Sequence, residues 1–283
     1  MDDMLHPKSR MPEYFESHPL ESPSSPTHNP YSWTYGMEGQ DWIKVLGRTP
    51  ENLKKFDIGI SVGALSRSNL PFYRKWATVP ATGIYPFDTE LAPFSTTTSK
   101  EPQTHNRVLI VDVGASQGAT MKEIRQAFPQ LTGKIITQDL ARVVENIPAD
   151  YLPPELDIHP MLHDFWTPQP VRGACVYYLR RIMHDWPDDL CRKILTHTVN
   201  AMAPDSRLLI ADVLIPDQVQ KEDLYCYWKD LTMLTFAGRE RSGADWRTLF
   251  ESVGLVVVKV WRAEVGTQAV VEGRLREPGG EVE

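Results

Sequence analysis

The chain has 283 residues, 41% hydrophobic and 24% charged, with a formal net charge of −7. That suits one large α/β domain, or one domain with a smaller attachment, and excludes a need for disulfides or metals to complete a core. No basic cluster or basic helix face tracks phosphates, and no apolar run approaches the roughly 20 residues of a membrane span, so neither nucleic acid nor membrane is an expected partner.

The start, Met1-Asp2-Asp3-Met4-Leu5, has neither the positive charge nor the apolar stretch of a signal peptide, and a cytoplasmic location is expected. Residues from Met1 to about Pro30 are rich in Pro, Ser and His, and Ser22-Pro23-Ser24-Ser25-Pro26 reads as an irregular arm. A helical pattern follows from Tyr35 to about Ser66, first through Trp42, Ile43, Val45 and Leu46. It resumes after Pro50 with Leu53, Phe56, Ile58 and Ile60. Tyr73 to Pro86 reads as a connector and Ser95 to Asn106 as a link into the main domain. Trp42, Phe72, Tyr73 and Trp76 could shape a flat pocket, but core packing is the better reading of them.

From Val108 the texture changes. Val108-Leu109-Ile110-Val111 is a continuous apolar run ending at Asp112 and Gly114, as in a strand buried on both faces. A helix is expected over Met121–Phe128. Further strands are expected at Ile135–Asp139, Ile158–Leu162, Ala174–Leu179 and Leu208–Ala211, with a helix over Asp188–Met202. Alternating strands and helices imply a mostly parallel sheet covered on both faces. Leu255–Trp261 and Gln268–Leu275 are joined by too few residues for a crossover, so this pair is expected to be antiparallel. Cys175, Cys191 and Cys226 are far apart, fit a reducing compartment, and read as packing residues.

Three features end successive strands. Asp112-Val113-Gly114-Ala115-Ser116-Gln117-Gly118 is a small-residue turn where backbone can approach a ligand. It has neither the Lys-Ser/Thr ending of a phosphate loop nor a full dinucleotide fingerprint. Asp139 can accept bonds from two ribose hydroxyls, and Asp164 with Phe165 can hold an adenine amine and ring face. Taken singly, these also read as a tight turn, a solvated strand-end acid and a turn aspartate beside a core aromatic. Together they occupy the sheet edge where doubly wound folds bind ligands. His184 follows the fourth strand at the same edge. Histidine suits proton transfer near neutral pH, although a lone histidine here is more often structural.

The run Leu179-Arg180-Arg181-Ile182-Met183-His184-Asp185-Trp186 resembles the plant and fungal small-molecule O-methyltransferases that use S-adenosylmethionine. The resemblance continues through Leu209-Ile210-Ala211-Asp212, Asp230-Leu231-Thr232-Met233-Leu234, Gly238-Arg239-Glu240-Arg241-Ser242, Trp246, Phe250 and Glu264-Val265-Gly266. It covers most of Arg107 to Arg276. The fungal branch fits best, and Met11-Pro12-Glu13-Tyr14 shares its flavour.

The resemblance implies a class I methyltransferase fold. This is a Rossmann-like α/β domain with a seven-stranded, mostly parallel sheet ending in an antiparallel hairpin, preceded by a short, mainly helical N-terminal region. Residues 1–100 would form the arm, helices and linker, and 101–283 the cofactor domain. S-adenosylmethionine would lie against Asp112, Gly114, Gly118, Asp139, Leu140, Asp164, Phe165, Arg180 and Arg181. His184 would be the general base, with Asp212 and Glu240 orienting its imidazole, and no metal would take part. Asp230 and Met233 would lie near the acceptor. The family usually carries Glu where this chain has Asp212, and more glycine where it has Ala115 and Ser116. Both of the latter are small, and the cofactor is expected to fit.

Relatives carry a longer helical N-terminal domain that dimerises and closes over the partner's pocket. Most of it is missing from residues 1–100. A homodimer weakened by that shortness, or a heteromeric partner, is therefore expected, with an acceptor pocket more open to water. The expected reaction is methyl transfer to a hydroxyl, phenolic by preference, of a small secondary metabolite. Two alternatives stay open. The same cofactor site could serve a non-methylating dehydration or pericyclic rearrangement, or the chain could be a non-catalytic partner subunit.

Overall fold

The computed structural model describes residues 2–56, 80–95, 107–218, 220, 224–264 and 266–277. Its strands are β1 Ile110–Val113, β2 Ile135–Asp139, β3 Ile158–Leu162, β4 Val176–Arg180, β5 Arg207–Ile215, β6 Arg241–Ser242, β7 Leu255–Arg262 and β8 Gln268–Leu275. They form one sheet in the order β3-β2-β1-β4-β5-β8-β7, with β6 pairing with β5 off that path. β1 to β5 pair in parallel, and β8 is antiparallel to both β5 and β7. The seven strands of the main path agree with the fold expected from the sequence. The two-residue β6 is an addition.

The helices are α1 Asp2–Ser9, α2 Met11–Ser17, α3 Pro30–Thr34, α4 Trp42–Leu46, α5 at 50–56, α6 Phe87–Glu90, α7 Ala119–Ala127, α8 Ala141–Val144, α9 Asp188–Val199, α10 Leu224–Leu234 and α11 Gly243–Glu251. None of the described helices is long and apolar enough to cross a membrane. The links expected over 73–79 and 96–106, and the continuation through Ile58 and Ile60, lie outside the described residues, as do Phe72, Tyr73 and Trp76.

Both faces of the sheet are covered. On one, Tyr31, Trp42, Val45 and Leu46 share a core with Met183, Trp186, Met233, Phe236, Trp246 and Phe250. On the other, Tyr85, Phe87 and Leu91 pack with Leu109, Ile110, Ile135 and Tyr178. Trp42 is 6% exposed, with its ring 5.5 Å from Phe236 and 6.3 Å from Trp186. It is core, as its residue type suggested. All three cysteines are free and buried.

Two expectations need correction. Ser22–Pro26 has no helix or strand, as expected, but α1 and α2 form before it, which the Pro-, Ser- and His-rich composition did not announce. Met11 and Tyr14, three residues apart, both bury. Tyr14 stacks on His18 with centroids 3.9 Å apart, and Arg10 lies 4.4 Å from the Trp33 ring centroid. These tertiary contacts offset a weak local preference. β5 also runs to Ile215, beyond the expected Ala211. Asp212 breaks the apolar run, yet it pairs with Ala269 of β8 in unbroken register.

Candidate active site

β1 delivers the chain to the turn at Gly114. Gly114, Ser116 and Gly118 all have positive φ, of 73°, 51° and 85°. The backbone amides of Gly114 and Ala115 both bond to the Gln138 carbonyl at 2.9 Å. A Cβ at Gly114 would lie 2.5 Å from Ile182 Cδ1, and one at Gly118 would lie 3.3 Å from Thr137 Cγ2. Only glycine leaves the turn bare where the strand ends converge.

Asp139 ends β2, and its carboxylate braces this turn. Oδ2 accepts from the Ser116 amide at 2.8 Å, and Oδ1 accepts from the amide of Leu140, also at 2.8 Å. Leu140 in turn caps α8. After β3, Asp164 Oδ1 accepts from the Trp166 amide at 3.0 Å, and the Phe165 ring lies 5.2 Å from Trp166. Asp112 is 2% exposed. Burial pushes its carboxyl up to about 8 against the pull of the Arg180 cation, with Asp139 adding to the rise. Arg180 closes β4, and Arg181 follows it with a φ of 57°. β3, β2, β1 and β4 are neighbours in that order, so these residues share one edge.

His184 sits in a short 3-10 turn, Met183–Asp185, and is 5% exposed. Its Nδ1 is 2.9 Å from Glu240 Oε1 and 3.8 Å from Asp212 Oδ1, and its Nε2 is 3.5 Å from Asp185 Oδ1. Burial pulls the imidazole down, but Glu240 first, then Asp212 and Asp185, outweigh it and hold it above its ordinary value. Burial raises Glu240, but the His184 charge and hydrogen bond overcome this and hold the carboxyl below its usual range. Glu240 is thus an acceptor, so in the neutral ring Nδ1 carries the donated proton and Nε2 the lone pair. Burial raises Asp212 to about 6 and also raises Asp185.

The chain after α10 builds the support for this pair. Asp230 Oδ1 accepts from the Glu240 amide at 2.8 Å. Met233 is 6% exposed in the core, and its carbonyl accepts from the Gly238 amide at 3.0 Å. A Cβ at Gly238 would strike the His184 carbonyl and lie 2.9 Å from the Asp185 carbonyl carbon, so the two segments meet backbone to backbone. Arg241, 1% exposed, spans the histidine turn. It donates to the Met183 and Trp186 carbonyls at 2.9 Å each, and to Asp188 Oδ1 through Nε at 2.9 Å and Nη2 at 2.6 Å. The structure therefore brings His184, Asp212 and Glu240 together. It adds Asp185 and Arg241, which the reading of the sequence assigned no role. Asp185 had one visible signal, its place beside His184.

A cleft opens beside the imidazole. Its walls include Arg180, Arg181, His184, Asp212, Lys229 and Gln268. The edge thus joins a bare glycine turn, strand-end carboxylates and a histidine whose free nitrogen can take a proton.

An O-methyltransferase domain model matches residues 102–256, more than half of the chain. O-methyltransferase desB of Aspergillus desertorum is 30% identical, across 98% of this chain and 62% of its own length. Demethylsterigmatocystin 6-O-methyltransferase stcP of Emericella nidulans is 37% identical, across 60% of this chain and 81% of its own. Among solved structures, OxaC in complex with sinefungin and meleagrin superposes with a TM-score of 0.79 at 26% identity, covering 97% of this chain and 64% of that one. LepI in complex with S-adenosylmethionine shares the fold at a TM-score of 0.77 and 23% identity, covering 96% of this chain and 64% of its own. The chain thus spans 62% of the length of desB and 64% of OxaC.

Proposed function

The chain belongs to the O-methyltransferase family, and on that premise we propose that it methylates a hydroxyl, phenolic by preference, of a small secondary metabolite. The methyl donor is S-adenosylmethionine, and His184 is the general base. The observation that carries this reading is the buried His184–Glu240 pair, 2.9 Å apart, set beside the glycine turn on the same sheet edge.

The residues present fit the cofactor. Gly114 holds a positive φ, and a side chain there would meet Ile182, so the turn presents bare backbone against which the nucleoside would pack. Asp139 would accept from the ribose hydroxyls, Asp164 and Phe165 would hold the adenine, and Asp112, Gly118, Leu140, Arg180 and Arg181 would complete the wall. When bound, S-adenosylmethionine supplies an electrophilic methyl group on a positively charged sulfur. The chain's own work is alignment and proton removal. Alignment of reactants can contribute up to roughly 7–11 kcal/mol, and a positioned base roughly 10²–10⁴ in rate.

His184 Nε2 would take the acceptor hydroxyl proton, freeing the oxygen to receive the methyl group that the cofactor would supply. A phenol ionises near about 10 and a free imidazole near about 6.5, so this transfer is uphill unless the imidazolium is stabilised. Glu240 and Asp212 supply that stabilisation, as their effect on His184 indicates. Asp230 acts through Glu240, whose amide it holds, and Met233 lies on the acceptor side.

Calorimetric titration with S-adenosylhomocysteine, followed by product mass on hydroxylated acceptors, tests the reading. Micromolar binding and a gain of one methyl group are expected. Turnover to a product of unchanged mass would replace methyl transfer with a rearrangement at the same cofactor. A folded chain that binds no S-adenosylhomocysteine would overturn the cofactor site.

A further inference from the structure

Lys229 departs from the pattern of its helix. On α10, Cys226 and Met233 are buried and define the inward stripe, and residue 229 falls between them at helical spacing. Lys229 is half-buried there, and an ammonium so placed gains from meeting an anion. Lys229 lines the cleft with His184 and Asp212, beside the cationic Arg180 and Arg181. Its charge is felt at His184, Asp185 and Glu240. Yet among the described residues no carboxylate reaches the 4.0 Å of an ion pair with it. Glu240 is already committed to His184 Nδ1. Among the described residues, the cleft therefore presents a cation next to the base with no carboxylate in ion-pair contact.

We propose that Lys229 reads an anionic substituent on the acceptor, which is a hydroxylated aromatic acid. Its carboxylate meets the Lys229 ammonium while its hydroxyl meets His184. This inference rests on the methyl-transfer reading above and narrows its substrate class. The choice of a carboxylate over the reacting phenolate follows from charge. A phenolate loses its charge as it is methylated, so a cation held on it would stabilise the ground state and oppose the step. A carboxylate keeps its charge throughout, and pairing it with Lys229 orients the ring without that penalty. Lys229 is thus a substrate-orienting residue, and His184 alone moves the proton.

The test uses the full chain with S-adenosylmethionine and a panel of hydroxybenzoates and hydroxynaphthoates, each paired with its primary amide. In the wild-type chain the acid is expected to exceed its amide in kcat/KM by about tenfold or more, the range of a charge-assisted hydrogen bond. Lys229→Met should bring that ratio within about threefold, and Lys229→Arg should keep most of it. S-adenosylhomocysteine titration of each variant reports whether the fold and cofactor site survive. Amides used as well as acids, or a preference that survives Lys229→Met, overturn the proposal. So does a chain that binds S-adenosylhomocysteine but methylates only neutral acceptors or no acid in the panel. Loss of S-adenosylhomocysteine binding in the wild-type chain overturns the methyl-transfer reading instead.

Discussion

The Asp212 carboxylate stops 3.8 Å from His184 Nδ1, and both of its oxygens are buried without a hydrogen-bond partner among the described residues. Glu240, from a different segment, reaches the same nitrogen at 2.9 Å. One carboxylate therefore holds the imidazole, while the other acts on it only through the field. Asp212→Glu adds about 1.5 Å of side chain and should close the gap. A closer anion favours the imidazolium, so the His184 titration, followed by NMR, should move to higher pH. A titration that stays put or moves down would show that the shorter side chain is not what limits the contact.

His184→Ala removes the only proton acceptor assigned to the reaction. Turnover should fall by about 10²–10⁴, with S-adenosylhomocysteine affinity nearly unchanged, because the glycine turn and Asp139 are held by their own bonds with Gln138, Ser116 and Leu140. Steady-state rates and calorimetry on the same preparation check both halves. Equal turnover in the variant would remove His184 from the role of base.

The Asp139 carboxylate braces the turn through Ser116 and Leu140, and the proposed ribose contact would be its second task. Asp139→Ala should weaken S-adenosylhomocysteine binding by about tenfold or more. Calorimetry decides it, and unchanged affinity would show that the ribose assignment is wrong.

Arg241 fixes the turn that carries His184. Arg241→Met would take the guanidinium from Asp188 and from the Met183 and Trp186 carbonyls. Asp188 is 39% exposed and also lies 3.8 Å from Arg239, and Cys191 Sγ still faces both carbonyls. Losing hydrogen bonds from a charged group costs about 1.5–3 kcal/mol, and urea unfolding should register a loss of that size. A loss below about 1 kcal/mol, the worth of an exposed pair, would mean that the turn holds itself.

Asp112 gives stability a pH dependence. In the unfolded chain its carboxyl ionises near its ordinary value of 3.8, but burial in the fold pushes this up to about 8. Between those values the unfolded state has shed a proton that the folded state keeps. The contribution of Asp112 to stability therefore falls as pH rises from about 4 to about 8. Asp112→Asn removes this group, so Tm measured from pH 5 to pH 8 should decline less steeply than in the wild-type chain. An equal or steeper decline would mean that Asp112 ionises normally in its buried place.

The sheet could be read from the sequence because its strands announce themselves locally. Ile158–Leu162 and Gln268–Leu275 were placed to the residue, although the first, Ile-His-Pro-Met-Leu, is only weakly apolar and was the weaker signal. The glycine turn and Asp139 were readable for the same reason, since a strand end followed by small residues points to the ligand edge. α1 and α2 were not readable. Their helices depend on Tyr14, His18 and Trp33 meeting in space, and no window of the sequence reports that. The extension of β5 past Asp212 was hidden because a carboxylate looks like a strand end until β8 is seen pairing alongside it.

The sequence by itself determined the α/β order of elements, the edge at which the chemistry gathers, and the identity of His184, Asp212 and Glu240 as one group. Only the tertiary structure decided how that group is arranged. His184 and Glu240 are 56 residues apart, and their 2.9 Å contact depends on Arg241 clasping the histidine turn while Asp230 holds the Glu240 backbone. Such distances are set by side chains converging from four segments. A one-residue difference in side-chain length, as at Asp212, is decisive there and invisible in a pattern of residue types.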